Sequence, residues 1–184
     1  MKKVAYSGIE GAFAHVAARR LFPDAIYVSH GNFRDAYEAV EKEECDAAVL
    51  PVENSYAGKV EEVMKLLSEG TLHVNTEYEL QIIQNLLGVR GSSIRDIKKV
   101  ISQSKALEQC DEYIKEKGYE TEEAVNTAMA ARQVARDQKM SVAAIASLEV
   151  AAIYGLKVLE EHINTRDDNT TKFVVVSRTE GTFV

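Results

Sequence analysis

The sequence predicts an α/β protein built on mostly parallel sheet, with helices covering both faces. Short β-rich runs alternate with amphipathic helical stretches along the whole chain. Several of those runs are apolar throughout, as in Ala47-Ala48-Val49-Leu50, Val142-Ala143-Ala144-Ile145 and Phe173-Val174-Val175-Val176. Strands buried on both faces read this way, whereas a half-solvated strand alternates polar with apolar. No Gly/Ser-rich linker interrupts the pattern, and the only prolines are Pro23 and Pro51.

The elements follow in order. Val4-Ala5-Tyr6 is a strand, and Ala12 to Leu21 a helix with Phe13, Val16, Ala17 and Leu21 near helical spacing. Ile26-Tyr27-Val28 is a strand, then Phe33 to Glu43 a helix capped by Asn32. Ala47 to Leu50 is the third strand, ended by Pro51, which cannot donate to a ladder. A helix spans Val60 to Leu67 and closes at Gly70. Val100-Ile101 precedes a helix from Lys105 to Lys117, stopped by Gly118. A helix over Thr127 to Arg136, the strand Val142 to Ile145, a helix over Leu148 to Tyr154 and the strand Phe173 to Val176 complete the series.

Composition narrows the function classes. The 184 residues carry 22 Lys+Arg against 29 Asp+Glu, a net charge of −7, with 7% aromatics. Nucleic acid and anionic membrane surfaces call for basic patches, so both are excluded as partners. Cys45 and Cys110 lie far apart, without metal-like spacing to His15, His30, His73 or His162, and suit a reducing compartment. Ser7, Gly8 and Glu10 break the first apolar stretch before it reaches signal-peptide length, and no run approaches membrane-helix length. The expectation is a soluble cytoplasmic protein.

In open α/β sheets, ligands bind where strands end and helices begin. The first such junction, Ser7-Gly8-Ile9-Glu10-Gly11-Ala12, is not GxGxxG; it either presents helix amides to an anion or makes a tight turn. The third strand exits into Pro51-Val52-Glu53-Asn54-Ser55-Tyr56-Ala57-Gly58, where Glu53 is an acid/base candidate or a solvated carboxylate. Ser102-Gln103-Ser104 leads into the helix bearing Gln109, with Ser102 or Ser104 a natural N-cap, and Asn126-Thr127-Ala128 opens the next helix similarly. Asp167-Asp168 lacks a third ligand nearby, so no metal is expected. Alternation along the last strand puts Thr171 and Phe173 on one face and Lys172 on the other.

Taken in order, these junctions resemble the prephenate dehydratase family. The matching segments are Ser7-Gly8-x-x-Gly11 with Phe13, Pro51-Val52-Glu53-Asn54-Ser55 with Gly58, Ser102 with Ala106-Leu107-x-Gln109-Cys110, Thr127-Ala128, Ala143-Ala144-Ile145-Ala146, Tyr154-Gly155-Leu156, and Asn169-x-Thr171-Lys172-Phe173. The resemblance implies two α/β lobes around a central cleft, similar to type-II periplasmic binding proteins. Lobe 1 would comprise residues 1–78 plus 166–184, and lobe 2 residues 79–165.

The implied activity is the dehydration and decarboxylation of prephenate to phenylpyruvate in L-phenylalanine biosynthesis, a carbon–oxygen lyase reaction that needs neither metal nor organic cofactor. By resemblance, the catalytic residues map onto Thr171, Asn54, Ser102 and Gln109. Ser7, Gly11, Ala12, Glu53, Ser55, Thr127, Ala128, Lys172 and Phe173 would contact substrate, and relatives are usually homodimers or homotetramers.

Three positions depart from the family pattern: Lys172 replaces an arginine, while Gln103 and Gln84 replace histidines. Lysine keeps the charge but loses the bidentate fork. The regulatory ACT domain that commonly follows is not expected within these residues, which suits a trimmed multidomain enzyme. Arogenate dehydratase and a non-catalytic, small-carboxylate binding module are the alternatives. The net charge does not exclude a dicarboxylate substrate, because oriented amides and one or two cations in a cleft outweigh distant, screened carboxylates.

Overall fold

The computed structural model describes residues 1–181. The chain forms two compact units, Ile82–Asp167 and the discontinuous pair Met1–Gln81 with Asp168–Val184. Positions 182–184 of the first expected lobe lie outside the described residues. The crossings fall slightly later than the expected boundaries at 78 and 166.

In the first unit, β1 (Lys3–Ser7) lies between β2 (Ile26–His30) and β3 (Ala47–Asn54), parallel to both. The helix α1 (Phe13–Leu21) connects β1 to β2, and α2 (Phe33–Glu41) connects β2 to β3. Asn32 caps α2 as expected, accepting from the Asp35 amide at 2.8 Å. After β3 come the two-residue β4 (Gly58–Lys59), α3 (Glu61–Glu69) and β5 (His73–Gln81).

The second unit holds β6 (Asn85–Gly88), β7 (Lys99–Ser102), α4 (Ser104–Gln109), α5 (Asp111–Lys117), β8 (Glu120–Glu123), α6 (Thr127–Asp137), β9 (Val142–Ala146), α7 (Leu148–Tyr154) and β10 (Lys157–Glu160). Its sheet order is β10-β6-β9-β7-β8, with the parallel ladders β9–β7–β8 on one side and antiparallel β6 and β10 on the other. Leu86, Val100, Leu107, Cys110, Ile114, Ala143 and Ile145 pack as one core of that unit.

The final strand, β11 (Thr170–Ser177), returns to the first unit and inserts antiparallel between β3 and β5. Its apolar sequence is thereby explained, since a strand with neighbours on both edges and buried residues on both faces has no solvent side. Leu50, Val52, Val174 and Val176 share one core cluster. Phe173, at 1% exposure, and Val175 point to the other face.

Sequence periodicity overlooked the polar strands. β5 is an edge strand alternating across His73-Val74-Asn75-Thr76-Glu77, and β8 is an edge strand rich in glutamate. Such edges discourage pairing with other chains, and their charge hides the strand pattern. The expected helix over 105–117 is two helices, broken at Cys110 with φ −110° and ψ 15°. None of the described helices is long and apolar enough to cross a membrane.

Gly70 ends α3 because no side chain fits there. A Cβ would press on the Tyr37 hydroxyl and lie 2.6 Å from the Leu66 carbonyl, and that hydroxyl accepts the Leu72 amide at 2.9 Å. Gly70→Ala should cost about 1–3 kcal/mol and lower Tm by roughly 2–4 °C per kcal/mol; an unchanged Tm in a thermal melt would contradict this packing.

Candidate active site

A polar cluster of the first unit lies where β3 ends and β11 begins. Thr171 pairs with Asn54 and Lys172 with Glu53, but Phe173 pairs with Pro51, so the register slips by one residue at Val52. Pleat alternation alone would put Asn54 on the Leu50–Val52 core face. The slip reverses β3's parity beyond Val52 and sets the Asn54 side chain beside Thr171.

The Asn54 amide is fully used. Its two Nδ2 protons are shared among three acceptors, Thr171 Oγ1 at 2.9 Å, Asn169 Oδ1 at 2.9 Å and the Thr170 carbonyl at 3.1 Å. Its Oδ1 accepts the Tyr56 and Ala57 amides, each at 3.0 Å, closing an Asx turn. Ser55 clamps the same strand end: its amide donates to the Thr170 carbonyl at 2.9 Å, and its hydroxyl donates to the Asp168 carbonyl while accepting the Thr170 amide. Tyr56 hydrogen-bonds the Asp168 carboxylate. Thr171 thus accepts a bond from a rigidly held donor, which leaves its own O–H proton for another acceptor.

The remaining candidates of this unit stand apart from that pair. Glu53 and Lys172 share the opposite face, where Lys172 Nζ lies 3.9 Å from Glu77. Phe173 is on the Thr171 face of β11 but is only 1% exposed and packs as core there. Asn169, only 2% exposed, is a member of the cluster that sequence reasoning missed; its role emerges only with the β3–β11 register.

The Ser7–Ala12 junction corrects another expectation. The Gly11 amide donates to His15 Nδ1 at 3.0 Å and the Ala12 amide to the Ile9 carbonyl at 3.0 Å, so neither is available to a carboxylate. The amides that α1 leaves without intrahelical acceptors belong to Phe13, Ala14 and His15. Ser7 ends β1, with Gly8 (φ 107°) and Gly11 (φ 94°) making the turn in left-handed conformations. Buried His15 contacts the rings of Tyr6 and Tyr27, at centroid distances of 4.8 and 5.2 Å. Burial holds its pKa below the ordinary 6.5, against the opposing pull of Glu10.

In the second unit, Ser102 is the last residue of β7, not a helix cap; the N-cap position of α4 is Gln103. Ser102, fully buried, donates to the Ile145 carbonyl at 2.6 Å. Gln109 ends α4, its carbonyl accepting the Thr165 amide at 2.8 Å and its Oε1 facing Gln84 Nε2 at 3.4 Å. Beside it, the buried Cys110 thiol is pushed up to about 12, so it stays protonated and does not serve as a nucleophile. Thr127 and Ala128 are the first two residues of α6, where Asn126 Oδ1 caps the Met129 amide at 2.8 Å and leaves their amides without intrahelical acceptors.

A model of the prephenate dehydratase family matches residues 4–181. The chain belongs to the prephenate dehydratase family. Arogenate dehydratase 2 of Petunia hybrida is 39% identical over 176 residues, covering 96% of this chain and 45% of that protein. The bifunctional chorismate mutase/prephenate dehydratase of Neisseria gonorrhoeae is 36% identical over 180 residues, covering 96% and 50%. This family member therefore spans about half the length of the curated relatives it matches. Among solved structures, GqqA, described as a novel type of quorum quenching acylase, superposes with a TM-score of 0.90 at 30% identity, covering all of this chain and 66% of GqqA. The prephenate dehydratase of Arthrobacter aurescens in complex with L-Phe gives 0.87 at 29% identity, covering 97% and 61%.

The depressed His15 pKa sets a sign for acid stability. The unfolded chain takes up the proton first, so stability falls as pH drops below 6.5 toward the folded value. His15→Gln, which retains an acceptor for Gly11 but does not titrate, should flatten that fall in denaturant midpoints measured from pH 7 to 5. Equal slopes for the two proteins would contradict the assignment.

Proposed function

We propose that this chain catalyses the decarboxylative dehydration of prephenate to phenylpyruvate, as a hydro-lyase of L-phenylalanine biosynthesis in the cytoplasm. The observation that carries the reading is the Asn54–Thr171 pair: an amide donor fixes the threonine oxygen, and the hydroxyl proton stays available for a leaving group. Aromatisation supplies the driving force. The carboxylate C–C bond breaks as carbon dioxide leaves, its electron pair enters the ring, and the ring C–O bond breaks to expel hydroxide.

Thr171 donates to that departing oxygen. A threonine is too weak an acid to ionise alone, so proton transfer is concerted with C–O cleavage, and the net reaction consumes one proton to release water. Asn54 orients Thr171. Gln109 is assigned to substrate contact and Ser102 to holding the β7–β9 strand end. The first-turn amides of α1, and separately those of α6, are assigned to carboxylates, because the helix dipole favours anions.

The acylase description of GqqA raises acyl transfer as a second chemistry. A hydroxyl nucleophile needs a base to take its proton. Ser102 gives its proton to a backbone carbonyl and Thr171 is bonded by an amide N–H, an arrangement that favours dehydration.

Thr171→Val should lower the rate of phenylpyruvate formation from prephenate by about 10²- to 10⁴-fold, the usual contribution of a positioned acid, with the thermal melt unchanged within a few degrees. Turnover within threefold of wild type would contradict the role given to Thr171.

A further inference from the structure

Asn169 directly precedes β11, is only 2% exposed, and accepts from Asn54 Nδ2 through its Oδ1 at 2.9 Å. One hydroxyl holds its backbone from both sides. Ser55 Oγ donates to the Asp168 carbonyl and accepts the Thr170 amide, each at 3.0 Å. The Asn169 side chain is thereby fixed against Asn54.

The Asx turn decides which end of the Asn54 amide faces β11. Because Asn54 Oδ1 accepts the Tyr56 and Ala57 amides, Nδ2 is the donor across the strand end. Asn169 must then present its oxygen to Asn54 rather than its own NH2 group. Two Nδ2 protons meet three acceptors. The Thr170 carbonyl is the most distant of these, at 3.1 Å, and already accepts the Ser55 amide at 2.9 Å. The two protons accordingly divide between Asn169 Oδ1 and Thr171 Oγ1, both at 2.9 Å. The two N–H bonds of a planar amide diverge at a fixed angle, so holding one aims the other. Without the Asn169 oxygen a buried N–H would lack a partner, which folded proteins avoid. Turning toward the Thr170 carbonyl relieves that loss and draws Nδ2 away from Thr171.

We propose that Asn169 is a positioning residue for the dehydration: by binding one Nδ2 proton of Asn54 it aims the other at Thr171 Oγ1, which keeps the threonine O–H directed at the leaving oxygen. This deepens the dehydratase reading and rests on it. Asn169 acts through Asn54 and needs no contact with substrate. Its oxygen carries the role, so an aspartate serves in its place and an apolar isostere does not.

The test compares wild type with Asn169→Asp and Asn169→Leu, repeats Asn169→Leu in the Thr171→Val background, and follows the Asn54 side-chain amide by NMR. Asn169→Leu removes the oxygen at similar volume and should lower kcat for phenylpyruvate formation by about tenfold or more. KM should stay within about threefold, and Asn169→Asp should hold kcat within about fivefold of wild type. In the Thr171→Val background Asn169→Leu should cost nothing further, because its route to the reaction runs through that hydroxyl. Losses that multiply, a leucine variant as fast as wild type, or an aspartate variant as slow as the leucine one overturn the proposal. The spectrum of Asn169→Asp decides the matter even where Asn169→Leu does not fold. One Asn54 Nδ2 proton resonance should titrate with the new carboxyl group between pH 4 and 9, and resonances that stay put overturn the proposal. If wild type forms no phenylpyruvate, the dehydratase reading fails; a titrating Asn54 resonance then still supports Asn169 as the residue that aims the Asn54 amide, and an unmoved one overturns it.

Discussion

The first-unit site depends on the one-residue register slip between β3 and β11. It moves Asn54 out of the alternation that governs Leu50 and Val52 and onto the face carrying Thr171. A regular ladder would bury an amide in the core of α2 and α3, or leave Thr171 beside Glu53. Asn54 then meets its full hydrogen-bonding capacity, two acceptor bonds in the Asx turn and three donor contacts across the strand end. A side chain bound on all sides does not reorient, so the threonine oxygen it holds is pre-positioned.

That slip is stable because β11 is central rather than peripheral. The strand pairs along its length with β5 as well as β3, and its Val174 and Val176 join the buried cluster of the first unit. The chain leaves the sheet after β5 and re-enters it as β11, so the residues around Asp168–Thr171 must be fixed where a loop becomes a strand. Ser55 and Asn169 do this with backbone and side-chain bonds that tie the strand start to the end of β3. Packing holds the strand, and the polar clamp holds its first residues.

Much of this was legible in the sequence. The apolar runs announced β3, β9 and β11, Asn32 announced the start of α2, and the ordered strand-end segments pointed to the family. The polar strands were not legible, because β5 and β8 are edges whose charged residues carry no burial signal. Nor was the break at Cys110, which interrupts a helical pattern without glycine or proline. At the site, Asn54 and Thr171 were recoverable as positions but their contact was not, since it requires a pairing across more than a hundred residues and a slip within it. The Gly11 and Ala12 amides looked open to an anion only because the folding back of His15 onto Gly11 leaves no local trace in composition.

The same distinction between global and local quantities applies to charge. A net −7 describes a whole surface, while the reaction is governed by the direction of one hydroxyl proton. Asn54→Asp tests that direction, because a carboxylate keeps the acceptor for the Tyr56 and Ala57 amides but removes the donor to Thr171 and draws the hydroxyl proton toward itself. The most direct measurement is a double-mutant cycle on kcat for the dehydration, with Asn54→Asp, Thr171→Val and the two combined. If Asn54 acts by orienting Thr171, the double variant is no slower than the slower single variant. If the two losses multiply, the residues act independently and the account of the site is wrong.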